Sequence, residues 1–300
     1  MTRVAYQKPP LSYEDQLQKL KDRGLHIEDR DKALHLLQRL NYYRLSAYWY
    51  PFLKEPKTDH LFKEGATFNK AFRLYRFDRE LRLLLLREIE KIEVALRSSM
   101  AYELSHKYGP HWFQEASLFY RQDIFRKTLR SINKNLNNSD EEFILNFKRK
   151  YTDVYPPSWM TLEVVSFGVL SKLFKNLKHS KDKKMVSAHF GVSYVPFVSW
   201  VHSIAYVRNI CAHHSRLWNK KLRINPAFPR HLSKPWIDET DIENNRVYYF
   251  LSLMYYLLLQ VNPKTTFRSK LDELITEYPS VHLYAMGFPE NWREQPLWMQ

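Results

Sequence analysis

The 300-residue chain has few of the residues that build several common kinds of site. Cys211 is its only cysteine, which excludes an intrachain disulfide and a cysteine-based zinc site. Its six glycines form no phosphate-binding loop and no dinucleotide fingerprint. The histidines lack the H-E-x-x-H spacing of metalloproteases. We therefore expect no metal and no cofactor, and a single cysteine fits a reducing, cytoplasmic setting.

Long apolar runs are also missing. The first ten residues lack the apolar core of a signal peptide. The longest apolar run, residues 247–259, is shorter than the about 20 residues that a membrane span needs. No internal repeat or low-complexity tract is present. We therefore expect a cytoplasmic protein with no membrane partner, in which residues 247–259 form a buried or dimer-interface helix.

Positive charge is abundant. Lys and Arg number 47 against 32 Asp and Glu, which gives a formal net charge of +15, and 15% of the residues are aromatic. A charge of this size favours a polyanionic partner such as RNA, DNA or an anionic membrane surface. A basic protein without such a partner is the alternative, and we favour a nucleic acid.

Apolar periodicity predicts an all-α fold. Apolar residues recur every three or four positions, and alternating β-branched runs are scarce. The first predicted helix begins at a Ser12 cap and ends at Gly24. A second runs from about Asp29 to Phe52. The longest covers residues 68–106 and carries Glu93 and Arg97 as an exposed pair.

Three later features complete the predicted organisation. Residues 133–140 form a loop between helices, one helix runs from a Ser158 cap through Leu177, and another runs from Pro196 to about Trp218. We divide the chain into an N-terminal helical extension (1–65), a helical core (66–265) and a C-terminal tail packed on that core (266–300).

The helix that begins at Pro196 carries the most informative residues. Its apolar stripe contains Arg208, and an arginine on the buried side of a helix is costly unless it is paired. His202, Asn209 and His213 share a different, polar face. Arg208 is therefore either paired with a core carboxylate, for which Glu163 is a candidate, or available to a ligand.

An arginine and a histidine five residues apart suit RNA cleavage. RNA carries its own nucleophile, the 2′-hydroxyl, so an enzyme needs a proton shuttle and a cation. His213 can act as general acid or base near neutral pH. Arg208 can hold phosphate oxygens and stabilise developing negative charge. Asn209 can orient the imidazole or the phosphate, and His214 offers an alternative spacing.

Helix geometry favours a dimer for this chemistry. Five residues separate the two side chains by about 7.5 Å along the axis and about 140° around it. One chain's pair therefore converges poorly on a single phosphate. Two copies of the helix about a two-fold axis bring two Arg–His sets together, so we expect a homodimer.

Six ordered blocks of residues form a distinctive pattern. The strongest is Arg208-Asn209-Ile210-Cys211-Ala212-His213-His214-Ser215-Arg216-Leu217-Trp218-Asn219. The others lie at residues 20–25, 41–46, 75–82, 92–97 and 158–168. Together they resemble the Abi-like proteins of the AbiD/AbiF type, which are bacterial abortive-infection proteins. The resemblance therefore extends across most of the chain.

That family resembles part of the HEPN superfamily, whose nucleases carry an R-x(4–6)-H motif in a dimeric helical bundle. The resemblance implies a HEPN-like bundle and metal-independent endoribonuclease activity, with Arg208 and His213 as catalytic residues and a 2′,3′-cyclic phosphate product. It also implies a role in phage defence and restraint by a small noncoding RNA, as in a toxin–antitoxin pair. A catalytically silent RNA-binding or assembly module is the alternative, because some HEPN proteins only bind RNA.

Two further groups are candidates for RNA contact. Arg44 lies in an aromatic stretch, residues 42–52, that either stacks on bases or packs into a core. Lys172, Lys175 and Lys178 belong to a lysine-rich segment that either contacts phosphates or is simply solvated.

Overall fold

The computed structural model of the chain describes residues 5–300 and confirms the all-α prediction. Twelve α-helices occur in those residues, and the extended pairings there are isolated single bridges. The helices are α1 (Tyr13–Asp22), α2 (Arg30–Leu40), α3 (Tyr42–Trp49), α4 (Phe68–Tyr108), α5 (Gln122–Asn137), α6 (Glu142–Lys150), α7 (Ser158–Thr161), α8 (Phe167–Asn176), α9 (Ser180–Ala188), α10 (Tyr194–Ala212), α11 (Val247–Val261) and α12 (Phe267–Glu277).

The chain forms two compact units. The first extends from the N-terminal segment to Glu80 and includes Leu274–Val281. The second comprises Leu81–Glu273 and His282–Gln300. The predicted divisions after residues 65 and 265 do not coincide with these boundaries, because α4 begins in the first unit and α12 ends in it.

Local signals set the helix ends of the first unit. Ser12 and Asp15 form a capping box at the start of α1, and Gly24 has a φ of +89° just after its end, as predicted. The helix predicted from Asp29 to Phe52 is instead broken at Asn41. There φ is 67°, and the Asn41 side chain accepts a hydrogen bond from the Tyr43 amide at 2.8 Å. Polar side chains compete with helical hydrogen bonds in this way.

The second unit is built around α10 and α11. Helix α8 packs against α5 and α10, and α10 also packs against α9 and α11. Residues 247–259 are buried in α11, which confirms the predicted buried helix. The chain end packs on the same helix, where Trp298 stacks on Tyr248 and Tyr255 and donates to Ser252 Oγ at 3.2 Å. No helix within residues 5–300 combines the length and apolarity needed to cross a membrane.

Helix α5 extends further than predicted. It continues through Asn137, so the expected loop at 133–140 is reduced to the residues after that position. The helix continues because Ile132 and Leu136 extend its buried stripe. Tertiary burial therefore outweighs the polar composition of this stretch.

The single helix predicted from Ser158 to Leu177 is also broken. Helix α7 passes into a 3₁₀ turn that ends at Val164, the backbone is extended at Val165, and α8 begins after Ser166. Ser166 caps α8 by accepting a hydrogen bond from the Val169 amide, whereas Ser158 lies inside α7. Such a break leaves carbonyl groups without helical partners.

Arg97 from α4 supplies the missing donors at this break. Its guanidinium donates to Leu162 O and, at 2.7 Å, to Val165 O, and it also pairs with Glu93. Arg97 is only 7% exposed, so the prediction of an exposed Glu93–Arg97 pair was wrong. The break between α7 and α8 is therefore held by a buried arginine that is paired with a partly buried glutamate.

Replacing Arg97 with alanine is expected to lower the free energy of unfolding by about 3–5 kcal/mol, because the carbonyls of the buried Leu162 and Val165 and the partly buried Glu93 carboxylate lose their donor. Urea denaturation measures this loss. The control is Arg79→Ala on the same helix, whose exposed pair with Glu80 should contribute less than about 1 kcal/mol. Equal losses in the two variants would contradict the structural role of Arg97.

Candidate functional site

Helix α10 is buried on most of its sides. The predicted stripe is confirmed, since its apolar members are at most 1% exposed: Phe197, Trp200, Val201, Ile204, Val207 and Cys211. Ser203, Ala205 and Ile210 are buried as well, on other sides of the helix. Surrounded by α8, α9 and α11, α10 is held in place by packing, and its exposed residues are Val195 in the first turn and Asn209 near the end.

The helix ends at Ala212, so the prediction that it reaches Trp218 was wrong. His213 is the cap residue, and His214 follows with a φ of 55°. The His214 amide donates to Cys211 O and the Ser215 amide donates to Ile210 O, each at 3.0 Å. These two bonds form a Schellman motif, which closes a helix through a left-handed residue.

The chain after this turn returns to the core. Leu217 and Trp218 are 0% and 4% exposed, which explains why apolar residues continue past the end of α10. They pack as part of the loop and do not extend the helical stripe. The motif segment is therefore held on both sides by buried residues.

Arg82 of α4 contacts the same turn. Its side chain is 4% exposed and donates from Nη1 to Ser215 O at 3.3 Å. Arg82 is the last residue of the 75–82 block, and no role was predicted for it. The available signal was its position beside the core residues Leu81 and Leu85, where an arginine requires buried partners. Arg82 is a positioning residue for the turn that carries His213.

The three motif side chains are accessible to solvent. Arg208 is half-buried, and Asn209 and His213 are exposed. Among residues 5–300, the Arg208 side chain makes no hydrogen bond or ion pair. The expected carboxylate partner is therefore not found, and Arg208 is less buried than its place in the stripe predicted. A guanidinium without a partner at the edge of a packed helix is free to take an anionic ligand.

Glu163, the candidate carboxylate partner of Arg208, does not pair with it. It is exposed in the 3₁₀ turn after α7 and lines a cavity of about 930 Å³ with residues of α5 that include Lys134 and Asn135. Arg208 is not among the residues that line this cavity. The candidate ion pair between Glu163 and Arg208 is thus not formed.

The predicted lysine cluster forms one wall of a second cavity. Lys172, Lys175 and Lys178 line a space of about 590 Å³ together with Lys183 of α9 and His202 of α10. Burial lowers the pKa of His202 below its usual value, and Lys175 and Lys172 lower it further. Burial and then Lys175 lower the pKa of Lys183. Burial and the neighbouring lysines therefore disfavour the charged forms of His202 and Lys183.

Arg44 belongs to the other unit. It is exposed on α3, in a segment where Leu45, Tyr48 and Trp49 are buried and Tyr43 is 85% exposed. Much of the aromatic stretch at 42–52 therefore packs into the core of the first unit. Its RNA contact stays a prediction.

The left-handed backbone at His214 predicts an unusual order of stability. Glycine adopts this conformation freely, whereas a β-branched residue is strongly disfavoured in it. The free energy of unfolding of His214→Gly should therefore exceed that of His214→Val by at least about 1 kcal/mol. Thermal or urea denaturation measures this difference. Both variants lack the imidazole, so their difference isolates the backbone constraint.

The matched control is the same pair of substitutions at His106, which is exposed within the regular helix of α4. In a helix, valine should be no worse than glycine. If His214→Val were as stable as His214→Gly, the turn at residues 213–215 would not constrain the motif as described.

Among curated proteins, one similar sequence is the uncharacterized protein L711 of Acanthamoeba polyphaga mimivirus. It is 33% identical over 72 residues, which are 24% of this chain and 17% of the relative. The match thus spans a small part of the relative's length and supports no statement about activity. No solved structure gives a significant match to the chain.

The family comparison covers the motif and the helices that hold it. The model of the family described as Abi-like protein matches residues 35–219, more than half of the chain, and its last matched residue is Asn219 of the motif block. The match includes Arg82, Arg97, Arg208 and His213. The chain therefore belongs to the Abi-like protein family, a relation that indicates a role in abortive infection as a defence against phage.

Proposed function

We propose that the protein is a metal-independent endoribonuclease of the HEPN type that acts in phage defence by abortive infection. The observation that carries this proposal is the accessible Arg208–Asn209–His213 set at the end of a helix that is otherwise buried. A packed helix holds a cation, an amide and an imidazole in fixed positions while leaving them open to solvent. Fixed, accessible groups of these types suit catalysis on a phosphodiester.

The reaction is an attack by the RNA on itself. The His213 imidazole takes the proton from a 2′-hydroxyl, whose oxygen then forms a bond to the adjacent phosphorus. Arg208 donates hydrogen bonds to the non-bridging phosphate oxygens, on which negative charge develops. The bond from phosphorus to the 5′-oxygen breaks, and that oxygen takes up a proton. The products are a 2′,3′-cyclic phosphate and a 5′-hydroxyl.

Two copies of the chain complete the centre in this proposal. The helical spacing directs Arg208 and His213 to sides of α10 that differ by about 140°. A second copy about a two-fold axis adds another imidazole, so one His213 acts as the base while the other protonates the leaving oxygen. The half-buried position of Arg208 suits a place at such an interface.

The charge of the chain suits both an RNA substrate and an RNA regulator. At +15, the protein attracts any polyanion, and salt weakens such binding by restoring counterions. In the proposed system a small noncoding RNA restrains the nuclease until infection, as in a toxin–antitoxin pair. An RNA held in this way should be released at high salt.

Purified protein, freed of bound RNA by a high-salt wash, should cleave single-stranded RNA in the presence of EDTA. His213→Ala should lower the cleavage rate by about 10²–10⁴-fold because the proton shuttle is lost. Arg208→Ala should lower it by about 10²–10³-fold because the developing charge loses its donor. Mass spectrometry of the products should show cyclic phosphate ends.

His189→Ala and Arg223→Ala are the matched controls. Both side chains are exposed in the same unit and outside the motif, and His189 pairs only with Glu103 on the surface. They should cleave at the wild-type rate. The contradicting outcome is a folded wild-type protein that binds RNA but does not cleave it, both with and without the RNA released by the wash. That result would support the alternative function, a catalytically silent RNA-binding module.

Subunit mixing tests the shared centre. Wild-type protein that is equilibrated with an about nine-fold excess of His213→Ala should lose about 90% of its activity, because most wild-type subunits then sit in mixed dimers. An equal excess of His189→Ala, which itself cleaves at the wild-type rate, should instead raise the total activity about tenfold. Unchanged activity in the His213→Ala mixture would show that each chain cleaves by itself.

A further inference from the structure

The cavity of about 590 Å³ lies between α5, α8 and α10 and is rich in cations. Aspartate and glutamate are absent from the described lining. Six lysine and arginine side chains line the cavity: Arg121, Lys127, Lys172, Lys175, Lys178 and Lys183. Arg121 is already paired with Asp123 at 2.9 Å. The five lysines are left with no carboxylate in the cavity, so it presents an uncompensated positive field.

Two of its basic groups are partly withdrawn from water. Lys183 and His202 are half-buried, and burial together with the nearby Lys175 lowers the pKa of each. Holding like charges together at a partly buried site is unfavourable unless an anion joins them. A phosphate group matches this requirement, because its oxygens can accept from several ammonium groups at once.

One wall of the cavity is rigidly built. The Tyr120 amide donates to Asn176 O at 2.9 Å, and the Asn176 side chain bonds both the amide and the carbonyl of Arg121, at 2.9 and 3.0 Å. Lys178 N adds a bond to Leu118 O at 2.8 Å. These bonds join the segment before α5 to the end of α8, so the rim keeps its shape without a ligand.

The rim also offers an aromatic surface and an apolar floor. Tyr120 is 77% exposed although its backbone is fixed, and Ile124, Val169 and Leu177 line the same space. An exposed ring on a rigid backbone is a stacking platform for a base. The volume is in the range of pockets that hold small ligands.

We propose that this cavity binds a nucleoside monophosphate unit, with the phosphate among Lys172, Lys175 and Lys183 and the base on Tyr120. The unit is either a free nucleotide or the phosphorylated end of an RNA. His202 and Asn209 share one face of α10, seven residues or about 10.5 Å apart along the axis. An RNA whose end is bound here would extend along this face toward His213. Of the two ligand sources, only the RNA end rests on the proposed function, whereas the free nucleotide does not.

Calorimetric titration with AMP, adenosine and inorganic phosphate tests the site. AMP should bind more tightly than either fragment. Lys183→Gln and Lys175→Gln should each weaken AMP binding by about tenfold or more, because each loses a charged hydrogen bond. Lys181→Gln is the control, since Lys181 is exposed on α9 and does not line the cavity. Tyr120→Ala should weaken AMP by at least about fivefold and leave phosphate unchanged.

Two further measurements sharpen the result. AMP should raise the pKa of His202, followed by NMR, because an anion favours the protonated imidazole in the field of Lys172, Lys175, Lys183, Arg121 and Lys127. A 5′-phosphorylated RNA oligomer that displaces AMP, where its 5′-hydroxyl counterpart does not, identifies an RNA end as the ligand. Displacement by neither oligomer identifies a free nucleotide.

Several outcomes would overturn the proposal. Absence of AMP binding would show that the cavity is not a nucleotide site. Equal AMP affinity in Lys183→Gln and Lys181→Gln would show that AMP binds outside the cavity. Phosphate binding as tight as AMP binding would show a simple anion site. None of these readouts uses cleavage. His213→Ala should bind AMP normally, so the cavity can stand if the nuclease fails, and cleavage without AMP binding leaves the nuclease standing alone.

Discussion

The burial of α10 is the constraint on which the candidate site depends. Its apolar residues face three neighbouring helices, so the helix has no freedom to rotate or slide. Polar groups can reach solvent only on one narrow face and where the helix ends. The Schellman turn at residues 210–215 sets that end, and with it the place of His213. Site geometry is therefore a consequence of core packing.

Buried arginines connect this helix to the rest of the unit. Arg82 bonds the carbonyl of Ser215 just after the motif, and Arg97 bonds the carbonyls at the break before α8. Both arginines lie on α4, which thereby holds the backbone just after α10 and just before α8, the helix that lines the lysine-rich cavity. An arginine suits this task because its planar group can serve several carbonyl oxygens from one position.

Periodicity and local signals predicted most of the fold. The all-α class, the cap at Ser12, the turn at Gly24, the long α4 and the buried α11 follow from patterns within a few residues. Three of the errors, at the helix ends, share one cause. The breaks at Asn41 and Val165 and the early end of α10 depend on side-chain and backbone partners that periodicity does not register.

The fold class, the family resemblance and the residue types of the motif can be read from the linear chain, because helix periodicity and a contiguous block of residues do not depend on tertiary contacts. Helix packing decides three further points: the Arg208 side chain has no partner among the described residues, Arg97 is buried beside Glu93, and lysines from α5, α8 and α9 share a cavity. Those facts depend on which helices pack together, and packing joins residues far apart in sequence.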